Sequence, residues 1–361
     1  MFKQSFDSYF LALRKSSATH RNPIKAIIEL TYGCNMRCAH CFNPTHKVCS
    51  EELSTSEIIR ILEELADHGC LWVGFTGGEL FTRKDTFTIL KKANDLGMVF
   101  SILTNATMIT PELADQIRDI SHYIVEVSIY GATEATYEKV TNVRHSFSKF
   151  VRGVELLKAR GVQMSLNLIM MSLNLHEFES MREFAISRGI RHKVCTKIYP
   201  RADGHTGPLS CRLTSEQSFE IWKKIRGEGL RKNNASFIKE SCSFSHALFD
   251  CGCGKSNVAI DPYGRMNLCV SIQHPQFNLK GSTVAKGWET LVKLVTDATP
   301  GKQYECQKCD LTQYCDRGVK DSWMEKRCFD SGCISHHRHE AELKKKFLEH
   351  AHSMEKHGYE K

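Results

Sequence analysis

The chain has 361 residues and sixteen cysteines, and the cysteines are unevenly placed. Three fall within Cys34–Cys41, in the run C-N-M-R-C-A-H-C, and eight within Cys251–Cys333. Clustered thiols in a chain without a secretion signal are more often metal ligands or redox groups than disulfide partners. Cys34, Cys38 and Cys41 sit directly after a β-rich run. Three thiolates on one loop hold three irons of a [4Fe–4S] cube and leave the fourth open, and an open position separates a catalytic metal site from a closed structural one. The alternative is a tetrahedral zinc site completed by Cys49 or His46. A second run, F-T-G-G-E, ends the next β-rich stretch. Gly77 and Gly78 let the backbone approach a ligand closely, and Glu79 can accept from an ammonium group. Its place at the carboxyl end of a strand is where α/β folds bind ligands.

The elements that must position these residues alternate from Lys25 to about Tyr199. β-rich runs are Lys25–Thr31, Leu71–Thr76, Val99–Thr104, Tyr123–Ile129, Gln163–Met170 and Lys193–Ile198. Helical patterns separate them at Ser56–His68, Lys84–Leu96, Pro111–Asp119, Phe147–Arg160 and Leu175–Arg188. Six βα units in series predict a parallel sheet with right-handed crossovers, short of the eight that close a barrel. An open six-stranded barrel and a doubly wound sheet both satisfy this pattern. The strands alternate apolar and polar residues: Ala26, Ile28 and Leu30 oppose Lys25, Glu29 and Thr31, and Val125 and Val127 oppose Glu126 and Ser128. The apolar face should meet the helices and the polar face should line a wet, ligand-holding lumen. Residues 201–208 read as a linker, helical stretches follow near Ser215–Leu230, and Cys251–Cys333 has little periodicity. The segment after His336 reads as a solvated polar helix, with Lys344, Lys345 and Lys346 on its surface.

Composition limits the function classes. No apolar run approaches the ~20 residues of a membrane-spanning helix, so no membrane role is expected. The first residues lack an apolar h-region and a cleavage site, which points to the cytoplasm. The net charge of +8 is dispersed, without an aromatic-interleaved basic stripe, so no nucleic-acid partner is expected.

The spacing C-x₃-C-x₂-C after the first strand, G-G-E after the second and six βα units resemble the radical S-adenosylmethionine (SAM) superfamily. The resemblance runs through T-N-A-T, S-I-Y-G-A-T and N-V-R-H-S-F to about residue 200. It implies a partial (β/α)₆ barrel in which SAM chelates the open iron and is cleaved to methionine and a 5′-deoxyadenosyl radical that abstracts a hydrogen atom from the substrate. By that resemblance Cys34, Cys38 and Cys41 bind the catalytic [4Fe–4S] cluster, Gly77, Gly78 and Glu79 hold the methionine amino group, and His40 lies near the adenine. Thr104, Asn105, Ser128 and Asn167 are candidates for ribose and carboxylate contacts, or else satisfied polar residues at strand ends. The motif reads G-G-E-L where the family commonly has G-G-E-P.

The C-terminal cysteines resemble the family's SPASM extension, a small cysteine-rich domain carrying one or two auxiliary [4Fe–4S] clusters. Gly264 precedes Cys269 by the expected interval, and Cys306, Cys309 and Cys315 follow C-x₂-C-x₅-C. The pattern departs at Val319, where another cysteine is expected. Cys328 and Cys333 arrive later and bring the total to eight thiols, enough for two four-ligand clusters. The partition implied is Cys251, Cys253, Cys269 and Cys328 for one cluster and Cys306, Cys309, Cys315 and Cys333 for the other. A zinc-bound C-x₂-C site is the alternative. Cys49, Cys70, Cys195, Cys211 and Cys242 remain as thiols without a cluster. Cys195 shares a strand face with Lys193, and on a lumen face it could return a hydrogen atom to a substrate radical.

The expected domains are an N-terminal segment (1–23), the barrel (24–200), a linker with bridging helices (201–248), the SPASM-like domain (249–340) and a helical tail (341–361). C-F-N-P after Cys41 and S-I-Y-G-A-T…V-T-N-V are similar to radical SAM peptide maturases. The leading reading is therefore modification of a ribosomally made peptide by cross-linking, thioether formation or epimerisation. Its partners would be the peptide, a separate leader-recognition protein and a low-potential electron donor of flavodoxin or ferredoxin type. The alternatives are the same chemistry on a small molecule, sugar, cofactor precursor or sulfatase-type side chain, and a non-catalytic iron–sulfur or zinc protein.

Overall fold

The computed structural model describes residues 12–13, 16–231, 248–249, 251–300, 304–315 and 335–357. Six parallel strands follow one another in the chain: β1 (Lys25–Glu29), β2 (Trp72–Thr76), β3 (Val99–Thr104), β4 (Ile124–Ile129), β5 (Met164–Ile169) and β6 (Arg191–Cys195). Between them run α1 (Thr55–Asp67), α2 (Thr86–Asp95), α3 (Pro111–Asp119), α4 (Glu134–Thr141), α5 (Ser146–Ala159) and α6 (Phe178–Ile186). Each strand pairs with its predecessor, as βα crossovers require. The sixth strand lies two residues N-terminal to the expected start, and α4 is a helix that the sequence pattern did not indicate. These six units make the partial barrel expected above.

Three more strands join the same sheet from far along the chain. β7 (Asn257–Ile260) pairs in parallel with β1, and β8 (Arg265–Asn267) and β9 (Phe277–Asn278) follow antiparallel, giving the order β6-β5-β4-β3-β2-β1-β7-β8-β9. Two compact units result, one of Met1–Cys211 with Cys251–Asp297 and one of Arg212–Asp250 with Ala298–Lys361. α8 (Val284–Asp297) closes the first unit against α1.

Local chemistry sets these elements. Ser54 and Glu57 form a reciprocal capping box on α1, whose buried Ile58, Ile61, Leu62 and Leu65 recur at helical spacing. Pro111 opens α3 and the Thr110 side chain accepts from Leu113. In register, Ala26, Val73, Phe100, Val125 and Leu166 share the apolar face, while Glu29, Thr76, Glu126, Ser128, Asn167, Lys193 and Cys195 share the other. The second unit holds α7 (Ser215–Arg231) and α9 (Ser335–His357). α9 is not a solvated helix. Ala341 and Lys344 are buried, the Lys344 ammonium pairs with Glu340 at 2.8 Å and lies over the Trp222 ring, and Phe347 meets Phe219 and Trp222 edge-on at 6.0 Å. His339 pairs with Glu216 of α7 at 2.8 Å.

α4 is anchored at its start by Glu177, a buried residue just before α6. Its carboxylate accepts from Ala132 N at 2.6 Å, Thr133 N at 3.3 Å, Thr133 Oγ1 at 2.5 Å and Thr136 Oγ1 at 2.6 Å. Two of these donors are the backbone amides at and just before the N-cap Thr133 and two are hydroxyls of the N-cap and first turn, at a helix N-terminus where negative charge is favoured. Glu177→Ala strands them in a buried site, and chemical denaturation should show a loss on the order of 3 kcal/mol.

Candidate functional site

The site begins where β1 ends. Thr31, Tyr32 and Gly33 leave the strand and meet the Gly77–Gly78 turn after β2 backbone to backbone. Gly78 N donates to Thr31 O at 2.7 Å and Glu79 N to Gly33 O at 2.8 Å. A Cβ on Gly77 would lie 2.3 Å from Thr31 O, and one on Gly78 would lie 2.3 Å from Gly33 O. Gly77 also adopts a φ of +140°. The two glycines therefore serve contact with the cysteine loop itself.

Glu79, 1% exposed, binds the next strand. Its Oε1 accepts from Thr104 Oγ1 at 2.8 Å and Phe81 N at 3.4 Å, and its Oε2 from Asn105 N at 2.8 Å. Burial raises its carboxyl to about 7 against these donors. A carboxylate offers about four lone-pair sites, so three donors leave it room for one more. Asn105 then reaches back to the loop. Its Nδ2 donates to Asn35 Oδ1 at 3.0 Å, and Asn35 Nδ2 donates to Thr107 Oγ1 at 2.8 Å. The structure thus brings Glu79, Thr104 and Asn105 together with the loop bearing Cys34, Cys38 and Cys41.

Two further elements brace that loop. The last turn of α4 accepts from it, Val140 O from Ala39 N at 2.9 Å and Thr141 O from Arg37 N at 3.0 Å, and Asn142 Nδ2 donates to Arg37 O at 2.8 Å. On the other side the β7–β8 turn holds its return. Pro262 O accepts from Leu53 N at 2.7 Å, and the Tyr32 and Tyr263 rings meet edge-on at 5.6 Å. Within the loop, buried Asn43 donates to Tyr32 O at 2.8 Å and accepts from Thr45 N and His46 N. Burial lifts the Cys34 thiol to about 11 and raises Cys38 and Cys41 as well. Half-buried His40 packs against Tyr130 with the rings tilted by 50° and centroids 5.1 Å apart, and burial lowers its imidazole to about 4, so it is neutral. Tyr137 and Glu177 carried no motif that would have singled them out, and Tyr130 lies inside S-I-Y-G-A-T without being named as a site residue.

Further along the polar face, Ser128 and Asn167 are register partners, with Lys193 next to Asn167. Asn167 Nδ2 donates to Glu126 Oε2 at 3.1 Å, which also pairs with Lys193 Nζ at 2.5 Å. Cys195 is half-buried on this face, opposite Ile169. Cys251, Cys253 and Cys269 converge, the Cys253 thiol bonding both others; sharing its proton with them raises Cys253 and lowers Cys251 and Cys269. Cys306 lies in the 3₁₀ turn Glu305–Lys308, Cys309 ends that turn and Cys315 ends the next, Thr312–Tyr314; the Thr312 hydroxyl donates to Cys306 O at 3.1 Å and Cys309 O at 2.7 Å. Cys328, Cys333 and Cys242 lie outside the described residues. Cys70 and Cys211 are buried, whereas Cys49 is exposed.

Residues 28–185 match the family described as the Radical SAM superfamily. The chain carries a radical SAM domain. Its segments are 29% identical over 174 residues to a PqqA peptide cyclase of Bradyrhizobium diazoefficiens, spanning 48% of this chain and 46% of the cyclase. They are 28% identical over 273 residues to mycofactocin maturase MftC of Mycobacterium tuberculosis, spanning 73% of this chain and 68% of the maturase. The fold is that of Streptococcus suis SuiB, solved bound to its precursor peptide SuiA, with a TM-score of 0.69, 15% identity, and coverage of 94% of this chain and 82% of SuiB. Among the described residues, no helix is long and apolar enough to cross a membrane.

The residues of the radical SAM domain fit its [4Fe–4S] cluster and SAM. A single tetrahedral metal needs sulfurs about 3.8 Å apart. Among the described residues, the only three metal-ligating side chains whose ligand atoms lie within 4.8 Å of one another are Glu134, Glu138 and His145, so the three loop thiols are not gathered as closely as one zinc ion would hold them. Buried polar atoms without partners, His40 Nδ1, Tyr137 Oη and Asn167 Oδ1, surround the loop and the adjacent polar face.

Glu29, 3% exposed on the polar face, has its carboxyl raised to about 8 by burial and by neighbouring Asp261. A folded-state value above the ordinary 4.5 means stability is greatest below about pH 4.5 and falls as pH rises to about 8. Thermal or chemical melts of Glu29→Gln should lose that slope, and the variant should exceed the parent at pH 8 by on the order of 4 kcal/mol.

Proposed function

We propose that this protein is a radical SAM enzyme that abstracts a hydrogen atom from a ribosomally made peptide and so cross-links it, forms a thioether in it or epimerises it. The observation that carries this reading is the cysteine loop joined to Glu79 at the strand ends, inside the region that matches the radical SAM family, in a chain 28% identical over 273 residues to a mycofactocin maturase. When bound, the cluster and SAM supply the 5′-deoxyadenosyl radical and methionine.

The chain's residues divide the work. Cys34, Cys38 and Cys41 hold the catalytic cluster. Gly77 and Gly78 fix the turn, and Glu79 offers its remaining acceptor site to the methionine ammonium. Ser128 and Asn167 take the ribose and carboxylate, with Thr104 and Asn105 holding Glu79 in place. Neutral His40 lies against the adenine. Cys251, Cys253 and Cys269 hold one auxiliary cluster with Cys328, and Cys306, Cys309 and Cys315 hold a second with Cys333. The polar face receives the peptide, and Cys195 returns a hydrogen atom where the outcome is epimerisation. A flavodoxin- or ferredoxin-type donor, a separate leader-recognition protein and a reducing cytoplasm complete the setting.

Anaerobically reconstituted protein with strong reductant should form 5′-deoxyadenosine and bind about twelve irons per chain, three clusters of four. Cys34→Ala should abolish the product, and a saturating count near eight irons removes one auxiliary cluster. A peptide encoded beside the gene should stimulate the reaction. Loss of two hydrogens from its mass reports a cross-link or thioether, and slow SAM cleavage that ignores the peptide defeats the peptide reading.

Cys195→Ala separates the outcomes further. If Cys195 returns the hydrogen, the variant should consume SAM yet accumulate stalled or hydrogen-exchanged peptide in heavy water. Full product formation by the variant removes that role.

A further inference from the structure

Tyr137 is the most deeply buried polar group around the cysteine loop that finds no partner. It is 0% exposed on α4, and its hydroxyl bonds nothing. Phe150 stacks on its ring at 5.0 Å, and Phe147 and Tyr130 flank it at 5.6 Å each. The phenol is wedged and cannot turn to water. A buried hydroxyl without a partner is a net cost, and phenylalanine would fill the same space without it.

The surroundings indicate what the hydroxyl faces. One turn on, Val140 and Thr141 of the same helix carry the backbone of Arg37 and Ala39, on either side of Cys38. Cys38 and Glu79 are the charged-state neighbours that, after burial itself, push the Tyr137 phenol up. Tyr130, packed between Tyr137 and His40, reaches the Cys38 thiol and the Ser128 hydroxyl. The Cys38 side of the loop is thus backed by two phenols on rigid rings, one still holding an unused proton.

We propose that Tyr137 donates a hydrogen bond to the sulfur shell of the cluster held by Cys34, Cys38 and Cys41, and thereby sets that cluster's reduction potential. Donors to cluster sulfur stabilise the more negative, reduced state and raise the potential, a lever the protein holds outside the ligands themselves. Tyr137 is in this sense a tuning residue. The proposal rests on the cluster assignment and not on the identity of the substrate.

The test is a redox titration of the full reconstituted protein, followed by electron paramagnetic resonance with and without SAM. SAM perturbs only a cluster with an open iron, which separates its signal from any auxiliary one. Tyr137→Phe should take up the same iron, its SAM-responsive midpoint should move to more negative potential, and its metal-free form should melt no lower than the parent. 3-Fluorotyrosine at position 137, a stronger donor of nearly the same shape, should move the midpoint the other way. An unmoved midpoint in both variants overturns the proposal. So does a lower melting point of metal-free Tyr137→Phe, since that reveals a partner within the protein. If Tyr137→Phe takes up no iron, the sign of the fluorotyrosine shift decides. Absence of any SAM-responsive signal in the parent would instead defeat the cluster assignment itself.

Discussion

Three strand ends converge on Glu79, and the remainder of the site depends on that convergence. Its amide is tied to the exit of β1, its own chain is the exit of β2, and its carboxylate is held by Thr104 and Asn105 at the exit of β3. Backbone contact this close is open only to residues without a Cβ, which is why two glycines precede it. The cysteine loop carries little regular structure of its own, so its geometry must be imposed from outside. The Glu79 junction imposes it from below, α4 from one flank and the β7–β8 turn from the other.

Those supports also set the chemistry of the thiols. Burial holds Cys34, Cys38 and Cys41 above the ordinary thiol range, so the metal-free loop keeps its protons. On the proposed cluster assignment, thiolate would form as metal displaces them, and binding energy would become folding energy for the loop. His40, neutral and packed against Tyr130, extends the same logic: a low-dielectric rim suits an uncharged ring better than a charge.

The chemistry-bearing runs were legible because they are local. C-x₃-C-x₂-C and G-G-E each announce themselves within a few residues, and period-two alternation separated the polar from the apolar face of β1 and β4. Non-local facts were not legible. β7 is four residues long and finds β1 across more than two hundred positions, with no signal at either end. α4 is short and weakly amphipathic; Glu177, some forty residues away, caps it. The C-terminal helix reads as solvated because its charges are many, yet Lys344 buries its stem against Trp222 and leaves its ammonium to Glu340. Composition counts charges without knowing which of them have partners.

That same accounting explains the polar face of the barrel. Each carboxyl that β1 through β7 place there, or just beyond β7, is neutralised by its surroundings. Glu126 is matched by Lys193, Asp261 by Arg265, and Glu29 by retaining its own proton at neutral pH. An enzyme stabilising an oxyanion or an oxocarbenium ion would leave such charges aimed at the substrate, because a developing charge is what they act on. Hydrogen-atom transfer develops no net charge. Its demands are proximity, orientation and the exclusion of alternative hydrogen donors, water-borne or protein-borne. A wall whose polar groups bond one another suits those demands, which supports the proposed chemistry, and Asn167 Oδ1 is among the few buried polar atoms there left without a partner.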